Sequence, residues 1–176
     1  MENKVYQKHI WENYEGQFAG SKLAKLIRFL AGRYIKDGIL DVGAGDGSLV
    51  AGLRQKGYKQ VVGIDQTPKA DFIQQALASD LPFDDESFET IFSTEVFEHL
   101  DDGQIGAGLK EIYRVLKRGR YFVITVPFEE DFSRNEIVCP QCKHKFHRYG
   151  HQQYFDKPKM KELLESHGFQ VVSSKE

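Results

Sequence analysis

Residues 39–50 of the chain, ILDVGAGDGSLV, decide its fold. The short, mostly apolar run Ile39–Val42 is typical of a buried strand, and residues 48–56 are typical of a helix that ends at Gly57. Between them lie Gly43, Gly45 and Gly47, and glycine is required where the backbone turns tightly or a ligand approaches it closely. The stretch therefore predicts a strand, a ligand-binding loop and a helix, although a G-x-G-x-G pattern alone also fits a plain turn.

The remainder of the chain alternates between the two kinds of element. Further strands are predicted at residues 60–64, 72–76, 90–93, 121–126 and 169–173, and further helices at residues 3–15, 19–33, 104–116 and 157–167. Strands that alternate with helices need crossover connections, which produce a parallel sheet covered on both faces. We therefore expect an α/β fold with a doubly wound, mostly parallel sheet, and ligands beyond the carboxyl ends of its strands.

Length and composition indicate one soluble domain. The chain has 176 residues, a net charge of -2 and a mean hydropathy of -0.49. It contains no apolar run of the ~20 residues that a membrane helix needs and no apolar signal segment, so we expect a cytoplasmic protein without membrane partners. Ten acidic residues lie in residues 71–102 and six basic residues in 141–161; both segments fit solvated faces, and the basic one could also meet an anionic substrate.

Acidic side chains next to the glycine loop select the cofactor. Asp65 ends the second predicted strand, 18 residues after Gly47, where a carboxylate can accept hydrogen bonds from ribose hydroxyls. Asp41 and Asp46 flank the loop, and two carboxylates disfavour the pyrophosphate of a dinucleotide such as NAD. They favour a cation, and S-adenosylmethionine carries an ammonium and a sulfonium but no phosphate.

A third acid indicates a contact to the adenine ring. Asp80 lies in the segment ASDLPF, directly after the third predicted strand. Its carboxylate could accept a hydrogen bond from the adenine amino group, while Leu81 could offer an apolar contact to the ring. Acids at three successive strand ends thus match the ammonium, the ribose and the adenine of one cofactor.

Four blocks of sequence identify a family at this point: ILDVGAGDGSLV, VVGIDQ, ASDLPFDDESFETIFSTEVFEHL and LKEIYRVLKRGRYFVITVP. In order and spacing they resemble the Rossmann-like (class I) S-adenosylmethionine-dependent methyltransferases with a methyltransferase-11-like domain. The resemblance implies a cofactor site formed by Asp41, Gly43, Ala44, Gly45, Asp46, Asp65, Gln66, Asp80, Leu81, Thr94, Glu95 and Val96. It also implies a single domain with an N-terminal helical lid (1–36, with Trp11 and Tyr14 as lid candidates), a cofactor-binding core (37–127), a Cys/His-rich insertion (128–157) and a C-terminal helix and strand (158–176).

The sequence departs from the family pattern at three places. Residues 65–80 are short and contain Pro68, so the crossover helix there is reduced to about a turn. Residues 117–120 lack the usual Pro-Gly-Gly turn. The chain stops after the sixth predicted strand, so we expect the family's final antiparallel strand to be missing, and the open sheet edge predicts possible pairing into a homodimer.

His99 in the segment EVFEHL is the best-placed candidate for a catalytic base, because imidazole titrates near neutral pH. Glu95, Glu98 and His99 are also similar to a metal-binding segment of the ubiquinone-pathway O-methyltransferases, since the three side chains could converge on a short helix. A third interpretation is structural, with His99 orienting a loop. The sequence leaves these three roles open.

The insertion contains a second candidate metal site, in CPQCKHKFHRYGH. The spacing of Cys139, Cys142, His147 and His151 fits tetrahedral zinc, with His144 as an alternative to His147. Such a closed site would be structural and would hold a long loop over the acceptor pocket, where it shapes substrate selection. The alternatives are a solvent-exposed loop with two thiols and a redox pair, which Pro140 disfavours.

The function expected from these observations is methyl transfer from S-adenosylmethionine to oxygen or nitrogen of a small molecule. A nucleic-acid methyltransferase that reads its substrate with the Cys/His loop is one alternative. Against it, Ser93, Thr94, Glu95 and Val96 occupy the place of the Asn/Asp-Pro-Pro segment of amino-directed nucleic-acid enzymes. A non-catalytic cofactor-binding protein is the other alternative.

Overall fold

The computed structural model describes residues 33–175. The predicted helix at residues 3–15, nearly all of that at 19–33, and the lid candidates Trp11 and Tyr14 lie outside this part of the chain. No helix within residues 33–175 is long and apolar enough to cross a membrane.

A five-stranded parallel sheet forms the centre of the structure, in the order β3-β2-β1-β4-β5. Its strands are β1 Ile39–Val42, β2 Val61–Asp65, β3 Gln74–Gln75, β4 Phe88–Thr94 and β5 Leu116–Thr125. The central strand β1 pairs with β2 on one side and with β4 on the other, so the strand order reverses at β1. A ligand site is therefore expected beyond the carboxyl end of β1.

Helices cover both faces of the sheet, as the sequence predicts: α1 Ser48–Gln55, α2 Asp102–Val115 and α3 Lys157–Ser166. Alternate residues of β1 enter two apolar clusters, because successive side chains of a strand point to opposite faces. Leu40 and Val42 pack with α2 and α3, whereas Ile39 packs with α1. A capping box fixes the start of α2: the Asp101 carboxylate accepts from the Gln104 backbone N–H, and the Gln104 side chain accepts from the Asp101 N–H.

The C-terminal strand predicted at residues 169–173 is wrong, because this segment forms no strand and β5 is the edge of the sheet within residues 33–175. Its apolar residues pack through side chains instead of pairing through the backbone. The ring of Phe169 lies 5.3 Å from that of Tyr113 and 5.4 Å from that of Phe122. Residues 117–120 belong to β5 rather than to a turn, with an irregular register opposite Phe88.

The insertion contains structure of its own, which the sequence did not predict. Strands β6 Glu136–Val138 and β7 Lys145–His147 form an antiparallel hairpin. The short 3-10 helix Phe97–His99 follows β4, and a second one, Phe132–Asn135, precedes β6. Backbone hydrogen bonds from Gln152 and Gln153 to the Glu98 carbonyl place the end of the insertion beside the carboxyl end of β4.

Candidate functional site

Asp41 is a deeply buried acidic group beside the glycine loop. It lies in β1 with 1% of its surface exposed, and its Oδ1 has no hydrogen-bond partner within residues 33–175. Burial, followed by the negative charges of Asp65 and Asp46, raises the pKa of Asp41 to about 8. Leaving a buried carboxyl oxygen without a hydrogen bond is costly, so the position of Oδ1 is suited to a cation.

The glycine loop is held in left-handed backbone that excludes side chains. Gly43 has φ +82°, and a Cβ there would lie 2.3 Å from the side chain of Val96. The loop therefore contacts the segment that follows β4, and residues from two predicted parts of the site meet. Ala44, between the glycines, is buried against the face covered by α1.

Asp65 ties the loop to the end of β2. Its Oδ2 accepts from the Gly45 N–H at 2.9 Å and its Oδ1 accepts from the Thr67 N–H at 2.7 Å. Each carboxylate oxygen keeps a further lone pair, so the partly exposed side chain can still accept ribose hydroxyls. Asp46 accepts from the Ser48 N–H at 2.9 Å at the start of α1, while Gln66 is exposed next to Asp65.

The predicted adenine contacts differ in exposure. Asp80 is exposed, but Leu81 is 3% exposed and packs in the apolar core, with its N–H donating to Glu111 Oε2 at 2.9 Å. Arg114 donates to the carbonyl oxygens of Leu81 and Phe83 at 3.0 and 2.8 Å. Glu111 and Arg114 thus fix the loop that carries Asp80. Sequence reasoning missed both; the only available signal was their opposite charge three residues apart in a helix.

Glu95 does not lie with Glu98 and His99, the two residues that it was predicted to meet. It has φ +55° and is exposed, and its Oε1 accepts from the Thr125 Oγ1 at 2.8 Å. Its N–H donates to the Thr125 carbonyl at 3.0 Å, so the residue is fastened to the end of β5. The convergence of Glu95, Glu98 and His99 expected from the sequence is therefore not observed.

Glu98 and His99 instead meet residues of the insertion. Ligand atoms of Glu98, His99 and His151 lie within 4.8 Å of one another, and so do those of Glu130, His147 and His151. The His151 ring centroid is 4.8 Å from that of His99 and 4.5 Å from that of His147. We call these five residues the His/Glu cluster; no short sequence motif contains them, because they are spread over residues 98–151.

Burial controls protonation in the His/Glu cluster. It raises the pKa of Glu98 to about 8, with added repulsion from Glu95 and Glu130. Burial and then the charge of His151 lower the pKa of His99 to about 3. An imidazole with so low a pKa is a weak proton acceptor, which disfavours the predicted role of His99 as a general base at neutral pH.

The zinc ligands predicted from the Cys/His spacing are not brought together. Cys139 and Cys142 lie in the turn between β6 and β7 and are not joined by a disulfide. His147 and His151 face Glu130, and the two groups of possible metal ligands found in residues 33–175 contain neither cysteine. The β6–β7 hairpin separates the two pairs, so the structure does not support this four-ligand zinc site.

Comparison with known proteins agrees with the geometry. A family model described as a methyltransferase domain matches residues 11–174. A search of curated proteins finds no significant match.

The solved structures that resemble this chain include several methyltransferases. An S-adenosylmethionine-dependent methyltransferase from Archaeoglobus fulgidus has a TM-score of 0.67 at 20% identity, over 94% of this chain and 75% of that one. The 1,6-didemethyltoxoflavin-N1-methyltransferase of Burkholderia thailandensis, solved with 1,6-didemethyltoxoflavin and S-adenosylhomocysteine, has a TM-score of 0.70 at 20% identity, over 99% and 78%. A Haloferax volcanii protein solved with the Trm112 methyltransferase activator has a TM-score of 0.63 at 20% identity, over 98% and 74%.

Proposed function

Because the chain belongs to the methyltransferase domain family, and is an S-adenosylmethionine-dependent methyltransferase of the Rossmann-like class, we propose that it methylates oxygen or nitrogen of a small molecule. The single observation that best supports the cofactor position is Asp41, which is buried next to the glycine loop and whose Oδ1 has no hydrogen-bond partner within residues 33–175. Its carboxylate would face the ammonium of the methionine moiety.

The other contacts follow from the strand ends. Gly43, Ala44 and Gly45 would approach the methionine moiety and the ribose, with Asp46 beside them at the start of α1. Asp65 and Gln66 would accept hydrogen bonds from the ribose hydroxyls, and Asp80 from the adenine amino group. Leu81, packed in the apolar core, would support the loop beneath the ring. Thr94, Glu95 and Val96 would line the pocket near the transferred methyl group.

Positioning can provide most of the catalysis. S-adenosylmethionine supplies a methyl carbon activated by a sulfonium; the sulfur leaves as a thioether with the electron pair of the C–S bond. The protein would hold the acceptor atom in line with that carbon and exclude water, a contribution of about 7–11 kcal/mol in well-oriented systems. The acceptor proton, where there is one, would leave to solvent or to a base; a role of His99 as that base stays a prediction.

The attachment of the insertion to the end of β4 supports a small-molecule acceptor. The backbone N–H groups of Gln152 and Gln153 donate to the Glu98 carbonyl at 2.6 and 3.1 Å, and Gln152 Nε2 donates to the His99 carbonyl at 2.6 Å. The insertion is thereby fastened over the end of β4. The Burkholderia neighbour binds a small heterocyclic compound, which agrees with an acceptor of this size.

Isothermal titration calorimetry with S-adenosylmethionine tests the proposal. We expect binding by the native protein and a loss of about 10-fold or more in Asp65→Ala, because an ionised acceptor of ribose hydrogen bonds is removed. Asp71→Ala, which removes an exposed acid between β2 and β3, is the matched control and should bind as the native protein does. Failure of the native protein to bind at high micromolar cofactor contradicts the proposal.

Protein partners form a second part of the proposal. The Haloferax neighbour is complexed with an activator, and β5 is an edge strand in the sheet of residues 33–175. Edge strands offer unpaired backbone groups to another chain, so β5 is the surface proposed for an activator or for a homodimer. Light scattering after size-exclusion chromatography distinguishes a dimer from a monomer. A proline substituted in β5 where the backbone N–H points away from β4 should abolish a dimer that pairs through this edge.

A further inference from the structure

We propose that Glu98, His99 and His151 form a binding site for a divalent transition-metal ion, and that Glu130 and His147 orient His151 within it. The site goes beyond cofactor binding and methyl transfer. It joins the 3-10 helix Phe97–His99 to the insertion, and it includes neither Glu95 nor the two cysteines.

The distances fit a site that closes slightly around an ion. The ligand atoms of the three residues lie within 4.8 Å of one another, and His99 Nε2 is 3.8 Å from Glu98 Oε1. Ligands of tetrahedral zinc, with bonds of about 2.0–2.2 Å, are separated by about 3.4 Å. Small side-chain movements would therefore complete the coordination.

Hydrogen bonds orient both imidazoles in the manner expected of metal ligands. His99 Nδ1 lies 3.4 Å from the Gly150 carbonyl oxygen, and His151 Nδ1 is hydrogen-bonded to the Glu130 carboxylate. A proton on each Nδ1 leaves Nε2 with a lone pair for an ion. Metal-binding histidines usually donate their other ring N–H to a carbonyl or a carboxylate in this way.

The environment of Glu98 is a second, independent observation in favour of a cation site. Its side chain is 1% exposed, and neither carboxylate oxygen accepts a hydrogen bond within residues 33–175. Ionising a buried carboxyl group is costly, and a metal ion bound by Glu98 and two neutral imidazoles would compensate that cost.

His147 acts as a supporting residue rather than as a ligand. Its Nδ1 accepts from the His151 backbone N–H at 3.2 Å, which requires the ring proton to be on Nε2. That nitrogen lies 3.3 Å from Glu130 Oε1. Glu130 therefore lies between two imidazoles, and its hydrogen bond to His151 Nδ1 orients the His151 ring.

Two imidazoles and one carboxylate suit Zn²⁺, Fe²⁺, Mn²⁺ or Co²⁺ better than the hard ions Mg²⁺ and Ca²⁺, which prefer oxygen ligands. Three protein ligands leave at least one coordination position open. Water or a heteroatom of the methyl acceptor could occupy that position.

Cobalt spectroscopy on the full chain tests the proposal without an activity assay. The protein is treated with a chelator and titrated with Co²⁺, and we expect visible d–d absorption that saturates at about one ion per chain and is displaced by Zn²⁺. His151→Gln and Glu98→Gln should lose this absorption. Glu130→Gln should weaken Co²⁺ binding by about 10–100-fold, because it removes the partner that orients His151.

The controls distinguish the loss of a metal ligand from unfolding of the variant, and a His/Glu metal site from a cysteine metal site. Glu98→Gln is nearly isosteric and breaks no hydrogen bond of the native carboxylate, so its circular dichroism should match that of the native protein. A Cys139→Ser/Cys142→Ser variant should keep the d–d absorption, and His167→Gln, remote from the cluster, should keep it too. The proposal is overturned if native protein binds no Co²⁺, if folded Glu98→Gln and His151→Gln bind it unchanged, or if the double cysteine variant loses it. Binding of S-adenosylmethionine is measured separately by calorimetry, so a failure of the metal proposal can be distinguished from a failure of the proposed methyltransferase function.

Discussion

The cofactor side and the His/Glu cluster are built in different ways, although both lie at the carboxyl end of the sheet. On the cofactor side, Asp65 and Asp46 accept hydrogen bonds from backbone N–H groups of the same βαβ unit, and Asp41 Oδ1 has no hydrogen-bond partner within residues 33–175. In the cluster, Glu98 and His99 depend on residues about 50 positions later in the chain. The first arrangement can be recognised from local sequence, whereas the second exists only when the insertion folds back.

Gly43→Ala should have the largest effect on stability. The substitution places a Cβ at φ +82° and 2.3 Å from Val96, so backbone strain and a clash act together. We expect a loss of about 2–5 kcal/mol in the free energy of unfolding, measured by urea titration.

Gly57→Ala is the matched control, since Gly57 has φ +95° but no atom lies within 4 Å of the position that an added Cβ would take. It should cost only about 1–2 kcal/mol, from backbone conformation alone. Equal losses in the two variants would contradict the contact between the glycine loop and Val96.

Asp41→Asn should change how stability depends on pH. The pKa of Asp41 is raised from 3.8 to about 8 in the folded protein, so its contribution to stability is complete below pH 3.8 and is lost as the pH rises through about 8. The asparagine variant lacks this titration, so its free energy of unfolding should rise relative to that of the native protein by up to a few kcal/mol between about pH 4 and pH 9. Urea titrations across this range measure the difference, and a difference that is independent of pH would count against a buried, protonated Asp41.

Arg114→Ala should release the loop that carries Asp80. The variant loses the donors to the Leu81 and Phe83 carbonyls and the partner of Glu111, and we expect a loss of about 1–3 kcal/mol and weaker S-adenosylmethionine binding. Arg118→Ala removes a side chain that is 72% exposed, so it should change stability by less than about 0.5 kcal/mol. Similar behaviour of the two variants would show that Arg114 does not anchor the loop.

Cys139→Ser/Cys142→Ser should have the smallest effect. The two thiols lie in the turn of the β6–β7 hairpin, apart from the His/Glu cluster, and we expect a change of less than about 0.5 kcal/mol. Thermal unfolding of purified protein measures it. The four-ligand site predicted from the spacing would be restored by two results together: a large destabilisation of the double variant, and stabilisation by added zinc of the native protein but not of the variant.

The sequence was sufficient where the determinants are local. The apolar run Ile39–Val42, the glycines and Asp65 lie within one βαβ unit, so their spacing predicted the fold that is observed. The cofactor contacts assigned to these residues stay a prediction. Spacing failed for the cysteines and histidines of the insertion, because it does not show that an antiparallel hairpin directs His147 toward Glu130. It also failed for residues 169–173, where aromatic packing of Phe169 replaces strand pairing.

Proton release during S-adenosylmethionine binding tests the central claim most directly, since an ammonium that pairs with Asp41 must ionise that carboxyl group. Calorimetry below pH 7 in buffers of different ionisation enthalpy measures the protons released. We expect release by the native protein, affinity that rises with pH, and neither effect in Asp41→Asn. Binding of equal affinity by both proteins, without proton release, would contradict the pairing of Asp41 with the cofactor ammonium.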